Sequence, residues 1–194
     1  YWGLPTVVVQ FLSRLKLSGK TPYVWAVITC GGSIGAADRQ LRAVAKKSGI
    51  EVSAVFSLVM PDNFVPMFRA PGEEEVREIL EKADLRMEEI LEKIRSRSEG
   101  EMSKGRDLML SVTAQTLYRS GRKTSKFSVD DTCIGCGQCA SICPVGAIGM
   151  KNGRPFWKKD RCALCMGCLN RCPKEAIQYG KGTRKNGRYV YPRG

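Results

Sequence analysis

The spacing of eight cysteines constrains this chain more than any other feature. Residues 133–173 hold Cys133, Cys136, Cys139 and Cys143 followed by Pro144, then Cys162, Cys165, Cys168 and Cys172 followed by Pro173. Each half reads C-x2-C-x2-C-x3-C-P, the run that binds bacterial iron–sulfur clusters in pairs. Three thiolates on one tight loop grip three corners of a cubane, while the fourth points away toward a second cubane, so each half completes the other's site. By that rule one cluster takes Cys133, Cys136, Cys139 and Cys172, and the other takes Cys162, Cys165, Cys168 and Cys143. The proline after each fourth cysteine suits a first helical position, where no amide proton is needed.

Two other uses of eight cysteines compete with this one. Structural zinc favours paired C-x2-C knuckles across a longer loop, often with His, and the chain has no His. Disulfides suit small secreted chains, and runs of three closely spaced cysteines pair only with strain.

The 194 residues are enough for one ordinary domain and a small one, and a hydrophobic content of 43% allows a packed core. No apolar run reaches bilayer-spanning length, and no signal-like segment opens the chain. Cluster-spaced cysteines suit a reducing compartment, so a soluble cytoplasmic protein is expected. The chain starts at Tyr1 without an initiator Met, and the expectation is a fragment of a longer one. Its net charge is +13, distributed unevenly. From Ser120 onward there are 15 Lys and Arg against 4 Asp and Glu, a net +11. Two bound oxidised cubanes with their thiolates would offset about 4 of those charges. The remainder would steer an acidic redox partner or an anionic cofactor, with residues 181–194 read as a solvated basic tail. Neither a membrane nor a nucleic acid is expected as partner.

Along the chain, Pro5 opens a helix carrying Val8, Val9, Phe11, Leu12 and Leu15, with Gly19 as its stop signal. Residues 23–29 form an apolar, β-branched run ended by Cys30, Gly31 and Gly32, as expected of a strand buried on both faces. A helix over residues 36–47 stops at Gly49, and residues 50–59 repeat the strand pattern. This order marks a doubly wound sheet, whose ligands sit beyond the carboxyl ends of the strands. Residues 60–71 read as an irregular connector covering that crevice. Over residues 73–97, Val76, Ile79, Leu80, Ala83, Met87, Ile90, Leu91 and Ile94 recur at helical spacing, with Glu78–Lys82 and Glu89–Lys93 as i,i+4 pairs. A shorter helix over 107–118 and a polar stretch over 120–125 close the first part. Beyond it the sequence repeats at an offset of 29 residues: Phe127 with Phe156, Asp131 with Asp160, Ala147-Ile148 with Ala176-Ile177. The repeat predicts two halves about a pseudo-twofold axis, joined by a hairpin turn at Asn152-Gly153.

Tyr1-Trp2-Gly3-Leu4-Pro5, a helix, a strand and Thr29-Cys30-Gly31-Gly32 together resemble the second half of a flavodoxin-like domain. The eight-cysteine unit resembles a two-cluster bacterial ferredoxin, and the whole is similar to fused flavodoxin-ferredoxin electron carriers. The resemblance implies an α/β plus α+β chain: a partial flavodoxin-like doubly wound parallel sheet with a helical extension over residues 1–120, then a two-cluster ferredoxin domain with a basic tail over 121–194. It also implies FMN, with Tyr1, Trp2 and Gly3 on one side of its ring and Cys30, Gly31, Gly32 and Ser33 on the other. The phosphate loop and first strands of a flavodoxin are missing ahead of Tyr1, so weak FMN binding is expected.

No general acid, base or nucleophile is evident, and Cys30 reads as a small buried residue. Three functions remain in play: an electron carrier with two four-iron clusters coupled to FMN, a flavin-dependent iron–sulfur reductase acting on a small molecule, and a basic nucleic-acid binder with structural clusters.

Overall fold

The computed structural model describes residues 2–17, 23–100 and 105–192. The chain divides into two compact units, Tyr1–Met60 with Glu73–Arg119, and Pro61–Gly72 with Ser120–Gly194.

In the first unit, helix α1 (Thr6–Leu12), strand β1 (Trp25–Cys30), helix α2 (Ala37–Lys47), strand β2 (Ala54–Val59), helix α3 (Glu73–Arg95) and helix α4 (Gly105–Gly121) follow in order. β1 and β2 pair in parallel from Trp25↔Ala54 to Cys30↔Val59. Their side chains alternate between two cores. Val55 packs with Leu4, Leu41, Ala45, Ile50 and Val52 on the α1 and α2 side. Ala54, Phe56 and Leu58 pack against Ala83 and Ile90 of α3 on the other. Helices lie on both faces and bury β2, whereas β1, expected to be buried on both faces, is half-buried and leaves Trp25 and Thr29 exposed. α1 stops at Leu12, short of the expected Leu15, and the proposed stop at Gly19 lies outside the described residues. On α3, Lys82 pairs with Glu78, but Glu89 meets Arg86 one turn before it, not Lys93 after it.

α4 departs from the usual orientation of an amphipathic helix. Its buried residues include Ser111, Gln115 and Tyr118, while Met109, Val112 and Leu117 face solvent. The polar stripe faces loops whose amides need acceptors: Ala36 N–H donates to Ser111 Oγ (2.9 Å), and Thr6 N–H to Tyr118 Oη (3.2 Å). A buried amide without an acceptor costs about 1–3 kcal/mol, comparable to the gain from burying one apolar side chain. Gly35, at φ +57°, lies where a Cβ would collide with Trp2 and with Ser111 Oγ. Gly35→Ala should therefore lower stability by more than the 1–2 kcal/mol, roughly, of the left-handed conformation alone, read as a drop in melting temperature.

The second unit carries strand β3 (Phe127–Val129), helix α5 (Gln138–Ser141), strand β4 (Ile148–Lys151), strand β5 (Arg154–Trp157), helix α6 (Gly167–Asn170) and strand β6 (Ile177–Tyr179). α5 and α6 lie 29 residues apart, and so do the starts of β4 and β6. β3 pairs with β6 and β4 with β5, both antiparallel. The last strand of each half thus pairs with the first strand of the other, a pattern unchanged when the halves are exchanged. Asn152 (φ +49°) and Gly153 (φ +72°) make the β4–β5 turn, both with the positive φ that a two-residue hairpin of this kind needs.

Two expectations are corrected in this unit. Pro61–Gly72, expected over the crevice of the first domain, packs within the second unit: Asn170 Nδ2 donates to Asn63 O (2.9 Å), Asn186 Nδ2 to Val65 O (2.7 Å), and Ala70 N–H to Asn186 O (2.7 Å). The basic tail is only partly solvated: Lys181, Lys185 and residues 190–192 are exposed, but several positions between them are anchored. Thr183 is fully buried, Arg184 makes a bidentate pair with Asp130 at 2.6 and 2.7 Å, and Arg188 donates to Thr183 O and Gln178 Oε1. Polar residues leave no hydrophobic period, so a packed strap of this kind looks like a loop in sequence.

Candidate metal centres

The eight repeat cysteines line two cavities. Cys133, Cys136, Cys139 and Cys172 line the first, with Ile134, Met150, Pro155 and Ile177. Cys143, Cys162, Cys165 and Cys168 line the second, with Phe127, Ile148, Trp157 and Met166. Each cavity draws three cysteines from one half and the fourth from the other.

Local backbone chemistry explains how the loops close. In the first loop Gly135 (φ +70°) and Gly137 (φ +73°) take left-handed conformations; at the equivalent positions of the second stand Leu164 (φ +55°) and Met166 (φ +56°). A non-glycine residue there costs about 1–2 kcal/mol. Leu164 and Met166 are buried, and burying such a side chain gains about 1.5–3 kcal/mol, enough to offset it. The fourth cysteine sits in a single turn closed by Gly146 N–H to Cys143 O and by Glu175 N–H to Cys172 O, each 3.0 Å. Pro144 and Pro173 therefore open turns and not helices. The same turns aim amides at sulfur: Ala147 N–H to Cys143 Sγ (3.2 Å) and Ala176 N–H to Cys172 Sγ (3.3 Å), with Leu164 N–H to Cys162 Sγ (3.3 Å).

Burial raises the thiols. Desolvation lifts Cys139 and Cys162 above their ordinary value, and pushes Cys168 up to about 12, helped by Cys165 and Cys162 nearby. Without metal these groups keep their protons. Their folded values exceed the unfolded one, so the metal-free fold keeps this stability below about pH 9 and loses it as pH rises through the raised values. Thermal melts of the metal-free, reduced chain should accordingly fall above about pH 9; a flat profile would contradict the burial of Cys168.

Thiolate donors ringed by apolar walls, with amides directed at sulfur, fit an iron–sulfur cluster. Among the described residues, no three Cys, Asp or Glu gather as the ligands of one metal ion; the thiols surround cavities instead.

The residues expected to meet FMN divide. Tyr1 lies outside the described residues. Trp2 and the loop after β1 do come together: Ala36 N–H donates to Trp2 O (3.2 Å), and Gly35 lies against Trp2. Gly3 is closed in by Gln115 and Gln40, whose Oε1 accepts from Leu4 N–H (2.8 Å). Cys30 is half-buried with its thiol 3.8 Å from Leu58 O, Ser33 Oγ accepts from Gly35 N–H (3.1 Å), and Gly31 and Gly32 are exposed. Sequence reasoning passed over Asn170, Asn186, Arg122 and Arg188. Arg122 Nε donates to Cys162 O (2.6 Å), and Arg188 is charge-coupled to Cys172. Their spacing to the cysteines follows no motif.

Residues 132–177 match the model of the 4Fe-4S dicluster domain, so the second unit carries such a domain. The chain is similar to an uncharacterised ferredoxin of Methanocaldococcus jannaschii, 42% identical over 53 residues, covering 25% of this chain and 29% of that protein. A second uncharacterised ferredoxin of that organism is 37% identical over 51 residues, 24% of this chain and 66% of its own. One component of the ion-translocating oxidoreductase complex of Methanosarcina acetivorans is 37% identical over 46 residues, 24% of this chain and 17% of its own. The chain thus spans less than two thirds of each of these relatives. No solved structure matches the chain. No helix among the described residues is long and apolar enough to cross a membrane.

Proposed function

We propose that this chain is an electron-transfer protein holding two [4Fe-4S] clusters, one on Cys133, Cys136, Cys139 and Cys172, the other on Cys162, Cys165, Cys168 and Cys143. The observation that carries the reading is the sorting of the eight thiols into two cavities, three and one from each half. The match to a dicluster domain and the similarity to ferredoxins and to an oxidoreductase component support it. Such clusters supply one-electron transfer, with no acid, base or nucleophile asked of the protein. The chain's own part is to hold the thiolates, exclude water with Ile177, Trp157 and Met166, and direct amides at sulfur. A reducing compartment such as the cytoplasm keeps the thiols available.

Anaerobic purification should give about eight iron and eight sulfide per chain, with EPR signals on reduction. Stoichiometric zinc without labile sulfide would overturn the reading. The charge of +11 from Ser120 onward favours an acidic redox partner. Electron delivery to such a partner should slow as ionic strength rises from low to about 0.15 M, where the Debye length is about 8 Å; a rate indifferent to salt would remove the electrostatic part.

In the first unit, the parallel pair between helices, and the meeting of Trp2 with the loop after Cys30, support a flavodoxin-like domain contributing Tyr1, Trp2, Cys30, Gly31, Gly32 and Ser33 to FMN, with Gly3 taken up by packing on Gln115 and Gln40. A Cβ on Gly32 would meet nothing, so the chain's own packing does not demand glycine there, whereas close approach of a flat ring would. Titrating the chain with FMN should quench flavin fluorescence weakly, and less still in Gly32→Val; full fluorescence throughout would dismiss flavin from this unit.

A further inference from the structure

Because the two cysteine loops are copies, each position has a counterpart, and burial can be compared pair by pair. Ile134 is 61% exposed and its counterpart Ala163 is 4% exposed. Cys133 is half-buried and Cys162 buried. Gly137, Ala140 and Ser141 correspond to Met166, Leu169 and Asn170, all three buried.

A cover over the second loop accounts for the burial around Asn170. Asn170 Nδ2 donates to Asn63 O, Asn170 Oδ1 accepts from Tyr189 N–H (3.4 Å), and Asn186 ties down Val65, which is fully buried. At the first loop Ser141 Oγ turns back onto Gln138 O of its own helix (2.9 Å). The walls themselves are apolar at both, with Phe127, Trp157, Leu164 and Met166 at the second and Ile134, Met150, Pro155 and Ile177 beside Gln138 and Lys174 at the first, so the difference lies in the cover outside them. Arg122 acts on Cys162 and Arg188 on Cys172, and Lys174 adds a cation at the first cavity, so charge and hydration act in the same direction.

Taking up an electron adds negative charge, which a drier surrounding disfavours. Resting on the two-cluster reading above, we infer that Pro61–Gly72 and the tail through Tyr189 form a strap that makes the two sites unequal, giving the lower reduction potential to the site of Cys143, Cys162, Cys165 and Cys168. The singly reduced protein then keeps its electron at the other site, beside exposed Ile134, where a partner can take it.

The test is a potentiometric titration of the loaded full chain followed by EPR. Two one-electron waves are expected, at least tenfold apart in reduction equilibrium, about 59 mV. Cys165→Ser marks its own cluster and should move the lower wave. Asn170→Ser, which installs the residue of the first loop, should raise the lower wave toward the upper one and leave the upper in place. Asn186→Ala loosens the strap farther from the cysteines and should act in the same direction, so the result stands even if Asn170→Ser fails to load. A single wave, a shift of the upper wave in Cys165→Ser, or a lower wave unmoved by loosening the strap would overturn the inference. Iron and sulfide counted in the same samples report separately on whether two clusters are present.

Discussion

Replacing Cys143 by Ala should cost the chain the proposed cluster on Cys162, Cys165 and Cys168, and spare the one on the three cysteines closest to Cys143 in sequence. Iron should fall from about eight to about four per chain. Cys143 lines the cavity of the second cysteine loop although it follows the first, and Ala147 N–H points at its sulfur there. Cys172→Ala gives the mirror image, losing the cluster of Cys133, Cys136 and Cys139. EPR of the two variants distinguishes the surviving clusters, since each is the species missing from the other variant. Loss of the near cluster in either variant would mean that ligation is not crossed.

Phe56→Ala carries the largest expected loss of stability in the first unit. Phe56 is fully buried on β2 with Leu58, Ala83 and Ile90, under α3. Truncating it removes most of an aromatic side chain from a close-packed site and leaves a cavity that helix and sheet fill only in part, a cost of about 3–5 kcal/mol. A lowered urea midpoint for this unit checks it. Leu85→Ala, on α3 but 65% exposed, serves as the control and should stay within about 0.5 kcal/mol of the parent. Equal losses in both variants would mean that α3 does not pack on the sheet through this face.

Much of the metal centre was legible because its chemistry is local. Thiolate spacing is set by cluster size, the repeat copies that spacing, and Asn152-Gly153 announces its turn through the positive φ both residues adopt. α2 and α3 were legible for a related reason, since an apolar stripe at period 3.6 has one face to bury. α4 was not. Its buried stripe is Ser111, Gln115 and Tyr118; Tyr118 accepts from Thr6 N–H, Ser111 shares Ala36 N–H with Trp2 O, and only the fold places those amides beside the helix. The connector after β2 misled in the same way: Asn63, Val65 and Ala70 find their partners at Asn170 and Asn186, more than a hundred positions away.

By itself the sequence determined which cysteines share a cavity, the duplicated halves and the parallel strand pair between helices, since cysteine spacing, repetition and hydrophobic period all act over a few residues. Only the tertiary structure decided which cysteine loop is covered, that the basic tail is anchored at Thr183 and Arg188, and that α4 turns its polar side inward. Those outcomes depend on hydrogen bonds between segments far apart in the chain, and such bonds have no period to betray them.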